Sequence, residues 1–264
     1  MPDGTVEYAE RGQGPTILLV PGSFGTGAGW RPIMELLGDR YRFVTTSLFG
    51  YGATAERRSA GNTSIDLQVE ALAGVIRRAG GRVHIVGHSF GGVATLALAL
   101  QSMDQIASLT LIEANPADVL RQAGDTHLFQ QFLGMSDAYV SAFKAGDKEA
   151  ARRVIDFYGG AGAFDAFPQK VRDYVVQTTP ANVLDWSTMY GFDAPLSAYA
   201  TITAPTLIIR GGKGHAAMVR LAELLHKAIP GASLVSIADG THFLPSTHPP
   251  RLAELISAHV ASCK

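Results

Sequence analysis

Residues 82–100 read RVHIVGHSFGGVATLALAL, and this stretch decides the fold. It opens with an apolar, β-branched run at 82–86, passes through a glycine-rich turn, and continues as an apolar segment of helical length from Val93. Strands that are buried on both faces read as continuous apolar runs, and a parallel sheet joins such strands through crossover helices. The stretch therefore predicts a strand–turn–helix unit of an α/β protein.

The turn within this stretch carries a candidate nucleophile. Gly87-His88-Ser89-Phe90-Gly91 matches the pattern G-x-S-x-G, which places a serine on a sharp strand-to-helix turn. Glycines on both sides let the strand and the helix approach each other closely. The competing interpretation is a simple turn in which Ser89 caps the helix. The buried strand before the motif and the apolar helix after it favour the nucleophile.

The same alternation of strand and helix extends along most of the chain. Strand-like runs occur at 16–20, 42–46, 109–112, 206–209 and 233–237, and helical periods at 30–37, 64–78, 216–229 and from Pro249 onward. This pattern predicts an α/β fold with a mostly parallel central β-sheet and flanking helices. Residues 116–199 contain helical patches without a clear strand run. We expect core segments at 1–115 and 200–264 around a helical cap insertion at 116–199; the alternative is that this segment adds two crossover helices.

Four short segments in order along the chain resemble the α/β-hydrolase fold superfamily. They are residues 20–25 (VPGSFG), 50–52 (GYG), 87–92 (GHSFGG) and 240–243 (GTHF). The chain looks like one of the small capped members, a group that includes carboxylesterases, haloalkane dehalogenases, cofactor-free haloperoxidases, C–C bond hydrolases and hydroxynitrile lyases. Such a resemblance is specific for the fold and does not identify a substrate.

The resemblance implies an oxyanion hole made of two backbone N–H groups. One donor belongs to the residue after the nucleophile, here Phe90, and the other to the first strand-to-helix loop, here Ser23. Pro21 stands where many members carry histidine. Because the donors are backbone groups, this difference should matter little.

The resemblance also implies a histidine base late in the chain, after the last strand. His242 occupies that place, in the loop 239–243. His248 is the competitor, although its position before two prolines indicates the start of a helix. We interpret His84 and His88 as structural, since an imidazole in or beside a buried strand is more often a hydrogen-bonded core residue than a base.

The acid departs from the common family pattern. The usual turn corresponds to 210–215, which holds no carboxylate, and Gly214 stands at the usual aspartate position. Some capped relatives place the acid after the preceding core strand, where this chain has Glu113. We therefore hypothesise that Glu113 accepts the Nδ1–H of the base and stabilises the imidazolium. Asp118 and Asp239 are the alternative candidates for the acid.

Composition excludes several classes of protein. The chain has 264 residues, 22 Lys plus Arg, 23 Asp plus Glu, and a net charge of −1. Without an excess of positive charge, we expect no nucleic-acid partner and no anionic membrane partner. The one cysteine, Cys263, cannot form an internal disulfide, and no signal peptide or membrane span is visible, so we expect a cytoplasmic protein.

The leading functional prediction is a serine hydrolase that cleaves a small ester or related acyl substrate through an acyl-enzyme. The glycine clusters miss the dinucleotide and phosphate-loop patterns, and the histidines lack zinc-site spacing, so we expect no cofactor and no metal. Lyase chemistry (hydroxynitrile or C–C bond cleavage) and a weakly catalytic, ligand-binding role are the alternatives. The oligomeric state stays open, with a homodimer as one option. The expected pocket residues are aromatic: Phe24, Trp186, Tyr190 and Phe243.

Overall fold

The computed structural model describes residues 5–101 and 104–263. In these residues the strands are β1 Ala9–Arg11, β2 Thr16–Val20, β3 Arg42–Thr45, β4 Val83–His88, β5 Ile106–Ile112, β6 Thr206–Gly211 and β7 Ser233–Ile237. The α-helices are α1 Arg31–Leu37, α2 Ile65–Ala79, α3 Phe90–Gln101, α4 Asp118–Gln122, α5 Thr126–Lys144, α6 Arg152–Gly159, α7 Ala163–Ala166, α8 Gln169–Gly191, α9 Ala216–Ala228, α10 Leu244–Thr247 and α11 Pro249–Ser262. None of these helices is long and apolar enough to cross a membrane.

The strands form one sheet in the order β1-β3-β2-β4-β5-β6-β7. Every neighbouring pair is parallel except β1 and β3, which are antiparallel. The predicted α/β fold with a mostly parallel sheet is confirmed. The sequence did not predict β1. Its three residues, Ala-Glu-Arg, are all exposed and form no apolar run.

The sheet separates two apolar cores, which explains why its strands read as continuous apolar runs. Along β2, Leu18 and Val20 pack on the side of α2, α3 and α9. Ile17 and Leu19 alternate with them and pack on the opposite side, against α1 and α11. Successive side chains of a strand point to opposite faces, so burial on both faces requires apolar residues at every position.

The chain between β5 and β6 is helical. Helices α4 to α8 lie there, and no strand occurs between residues 116 and 199. The expectation of a strand-free helical segment agrees with this arrangement, while the domain boundaries at 115/116 and 199/200 stay predictions.

Candidate active site

Backbone strain is concentrated at one edge of the sheet. Within residues 5–101 and 104–263, the non-glycine residues with positive φ are Phe24 (60°), Ser89 (52°) and Glu113 (50°). Ser89 directly follows β4, Glu113 directly follows β5, and Phe24 lies in the loop after β2. Left-handed backbone is unfavourable for residues with a Cβ and persists mainly where a site requires it. The carboxyl ends of three neighbouring parallel strands therefore define the candidate active site.

Ser89, His242 and Glu113 form a continuous hydrogen-bonded chain. Oγ of Ser89 lies 2.8 Å from Nε2 of His242, and Nδ1 of His242 lies 3.1 Å from Oε2 of Glu113. The imidazole and the carboxylate are 4% and 1% exposed. Because a carboxylate can only accept a hydrogen bond, Nδ1 carries the proton. Nε2 is then unprotonated, and its lone pair accepts the hydrogen bond from the serine hydroxyl. The imidazole is thus in the tautomer that a general base requires.

The backbone explains why an acid at the end of β5 reaches the histidine. The N–H of Glu113 donates to the carbonyl of Ile209 on β6 at 2.9 Å, and Oε1 accepts from the N–H of Gly211 at 2.6 Å. A Cβ placed on Gly214 would lie 3.9 Å from each oxygen of this carboxylate. The carboxylate of Glu113 therefore occupies the space that an acid on Gly214 would enter.

Two neighbouring side chains hold His242 in place, one at its imidazole and one at its backbone carbonyl. The Tyr158 ring stacks on it, with centroids 4.0 Å apart and planes at 13°, and its hydroxyl accepts from Nδ2 of Asn115 at 2.7 Å. On another side, Nε2 of His88 lies 2.9 Å from the backbone carbonyl of His242 and donates to it. Burial, and then the proximity of His242, lowers the pKa of His88 to about 3. His88 therefore stays neutral beside the hydrogen-bonded chain of Ser89, His242 and Glu113.

The loop after β2 packs directly onto the turn that carries Ser89. A Cβ on Gly22 would lie 2.8 Å from Cβ of Ser89, and one on Gly91 would lie 2.2 Å from the carbonyl oxygen of Pro21. Only glycine allows this approach. In the described part of the chain, the backbone N–H groups of Ser23 and Phe90 donate to no protein acceptor. Both predicted oxyanion donors are therefore free beside the serine.

A buried ion pair supports this loop from α8, and the sequence reading missed it. Oδ1 of Asp185 accepts from Nη1 of Arg58 at 2.6 Å, and the two side chains are 3% and 0% exposed. Oδ2 of Asp185 accepts from the hydroxyls of Ser23 at 2.5 Å and Tyr51 at 2.6 Å. Burial raises the pKa of Asp185, and Arg58 opposes that rise. Because Arg58 and Asp185 are distant in sequence and belong to no motif, only the folded chain brings them together.

A pocket opens above Ser89 and contains about 490 Å³ of space, its mouth included. Three of the four aromatic residues predicted for the substrate pocket line this cavity: Phe24, Trp186 and Phe243. The other lining residues include the largely apolar Tyr158, Ile155 and Met189 and the polar Asn115, Asn182 and Asp185. Tyr190 does not line this pocket. Its hydroxyl lies 2.9 Å from Oγ of Ser136 and its ring packs beside Trp186, so it supports a wall of the pocket from behind.

The alternative acids and bases lie elsewhere. Asp118 pairs with Arg121 on its own helix, and Asp239, which is 74% exposed, pairs with His248 at 3.2 Å. His84 bonds to Ser108 at 2.8 Å inside the sheet, as expected of a structural residue. No group of three or more His, Cys, Asp or Glu side chains in residues 5–101 and 104–263 is arranged to hold a metal ion.

Comparison with known proteins agrees with the fold and with the arrangement of residues at the carboxyl ends of the strands. Residues 17–255 match the sequence model of the alpha/beta hydrolase family. The chain belongs to this family, and it is a hydrolase.

The similar proteins fall into curated relatives and solved structures. "Putative carbamate hydrolase RutD" of Azorhizobium caulinodans is 26% identical over 96% of this chain and 94% of its own length. The pimeloyl-[acyl-carrier protein] methyl ester esterase of Aliivibrio salmonicida is 33% identical over 41% of this chain and 40% of its own length. A thermophilic esterase from Thermogutta terrifontis superposes with a TM-score of 0.79 at 20% identity, covering 98% of this chain and 94% of that one.

Proposed function

We propose that the protein is a serine hydrolase that cleaves a small ester or related acyl substrate through an acyl-enzyme. Ser89 is the nucleophile, His242 the general base and Glu113 the acid. The observation that carries the proposal is the hydrogen-bonded chain from Ser89 Oγ through the imidazole to the Glu113 carboxylate, at 2.8 and 3.1 Å. A serine hydroxyl is a weak nucleophile until an adjacent base removes its proton, and this geometry provides that base.

In the first half of the reaction, Nε2 of His242 takes the Ser89 proton while Oγ attacks the substrate carbonyl carbon. The negative charge that develops on the carbonyl oxygen is stabilised by the free N–H groups of Ser23 and Phe90. Glu113 stabilises the imidazolium. The imidazolium then gives its proton to the leaving oxygen, the ester bond breaks, and the acyl group remains on Ser89.

In the second half, water enters and loses a proton to Nε2 of His242 as its oxygen attacks the acyl carbon. The same N–H groups hold the second oxyanion, and the proton returns to Oγ of Ser89 as the carboxylic acid leaves. A carbamate and a methyl ester are cleaved at the same kind of carbonyl carbon, and the names of two curated relatives refer to these substrates.

The experiment compares wild-type protein with Ser89→Ala, using p-nitrophenyl butyrate hydrolysis and covalent labelling by a fluorophosphonate probe. We expect hydrolysis and labelling in the wild type and neither in Ser89→Ala. Ser187→Ala is the matched control, since this exposed serine bonds only within its own helix, and it should behave as wild type. Labelling without hydrolysis of any acyl substrate would favour lyase chemistry, and the absence of both would favour a binding role.

A further inference from the structure

A second cavity lies beside the Ser89 pocket, and we call it the chain pocket. The two cavities share walls made by Ser23, Phe24, His88, Ile155 and Phe243. The chain pocket extends from this shared wall past the loop after β2, and the start of α8 and the α10 turn complete its lining. Because its lining also includes Gly22, it begins directly beside the predicted oxyanion hole.

The chemistry of the chain pocket is apolar. It contains about 760 Å³ of space, its open mouth included, and no Asp, Glu, Lys or Arg lines it. Trp30, Phe167, Val171, Val175 and Pro245 supply much of its wall. A concave apolar surface of this kind gains free energy when an apolar group displaces water from it.

An exposed apolar side chain belongs to this cavity. In the described residues, two large hydrophobic side chains are exposed: Val171 at 41% and Leu36 at 52%. Val171 lines the chain pocket, whereas Leu36 lies on α1 and does not. A ligand in the chain pocket would cover the apolar surface that Val171 presents.

We propose that the chain pocket binds an unbranched apolar chain of the substrate, so that the preferred substrates are esters with a medium-length alkyl chain. This inference rests on the proposed function, because the chain must be joined to the carbonyl group that Ser89 attacks. The Ser89 pocket then holds the smaller side of the ester. The chain belongs either to the acyl group or to the alcohol, and both present the same methylene surface to the cavity.

Two substrate series distinguish these sources. p-Nitrophenyl esters from acetate to dodecanoate lengthen the acyl group, and alkyl acetates from ethyl to decyl, followed by pH-stat titration, lengthen the alcohol. In one series we expect kcat/KM to rise about fourfold for each added methylene until the pocket is filled, as the burial of a methylene group predicts. The series in which kcat/KM does not rise identifies which part of the ester, the acyl group or the alcohol, the Ser89 pocket holds.

Two variants address the cavity itself. Gly29 lines the chain pocket, and a Cβ at this position would meet no atom within 4 Å. The backbone therefore accepts the Cβ of Gly29→Phe, and the ring should narrow the cavity. Val171→Glu places a charge on its wall. In the series that shows the rise, each should reduce the ratio of kcat/KM for the eight-carbon chain to kcat/KM for the shortest chain by tenfold or more. The matched controls are Gly134→Phe, at an exposed helical glycine with equal space, and Leu36→Glu, and both should retain the wild-type ratio.

Binding of 1-octanol to the Ser89→Ala protein, measured by calorimetry, separates the two proposals. If no ester is hydrolysed but octanol binds and Gly29→Phe weakens that binding, the chain pocket stands and the serine hydrolase proposal fails. If esters are hydrolysed without chain-length dependence and octanol does not bind, the chain pocket is refuted and the hydrolase proposal stands. If Gly29→Phe and Gly134→Phe give equal chain-length ratios in the series that shows the rise, the chain pocket is also refuted.

Discussion

Replacing Glu113 with Gln removes the charge that faces Nδ1 of His242 and retains nearly the same shape. At the observed distance of 3.1 Å, an imidazolium and a carboxylate attract each other by about 5 kcal/mol at an effective dielectric constant of ~20. The imidazolium forms only as the serine attacks, so this energy belongs to the transition state. We therefore expect kcat to fall ~10³–10⁴-fold while KM changes little.

The assay is steady-state hydrolysis of p-nitrophenyl butyrate, with thermal melting to show that each variant is folded. Asp118→Asn and Asp239→Asn are the matched controls, because each removes a carboxylate that pairs away from the triad, and both should retain the wild-type kcat. A Glu113→Gln protein that keeps more than a tenth of the wild-type kcat would refute the assignment of the acid.

A second variant returns the acid to the position that is usual in the family. Glu113→Gly suits the φ of 50° at this residue and vacates the space of the carboxylate. Gly214 has no positive φ, and its Cβ would meet no atom closer than 3.4 Å. Adding Gly214→Asp to Glu113→Gly should recover at least tenfold in kcat over Glu113→Gly alone. No recovery in a folded double variant would show that an acid at 214 cannot reach His242.

Three further predictions follow from the site. Ser23→Ala removes the hydroxyl that donates a hydrogen bond to Asp185 but keeps the backbone N–H, so kcat should fall about tenfold with unchanged KM. Tyr51→Phe removes a hydrogen bond to the same carboxylate oxygen and should lower only the melting temperature. Because the pKa of His88 is about 3 against an unfolded value of about 6.5, the unfolded state binds more protons between these values. Wild-type stability should therefore fall by about 4 kcal/mol from pH 6.5 to 3 relative to His88→Gln, as measured by urea unfolding. Gly91→Ala places a Cβ 2.2 Å from a backbone carbonyl and should lower the urea midpoint more than any of these changes.

Most of the sheet could be read from the sequence because burial on both faces imposes an apolar residue at every strand position. The predicted run 16–20 coincides with β2, which is buried at every residue, and Pro249 begins α11 as expected. β1 carried no such signal, since it is an exposed edge strand that is held by pairing with β3 alone.

The sequence by itself determined the fold. It also predicted Ser89 and His242, because each lies in a short local motif whose backbone shape needs particular residues. The prediction of Glu113 rested on the absence of a carboxylate in the usual turn and on the resemblance to capped relatives whose acid follows the preceding core strand. Only the tertiary structure showed the Glu113 carboxylate 3.1 Å from the imidazole. Likewise, only folding joins Arg58 to Asp185 and creates the chain pocket. These features depend on contacts between segments that are far apart along the chain, and such contacts leave no periodic or local pattern in the sequence.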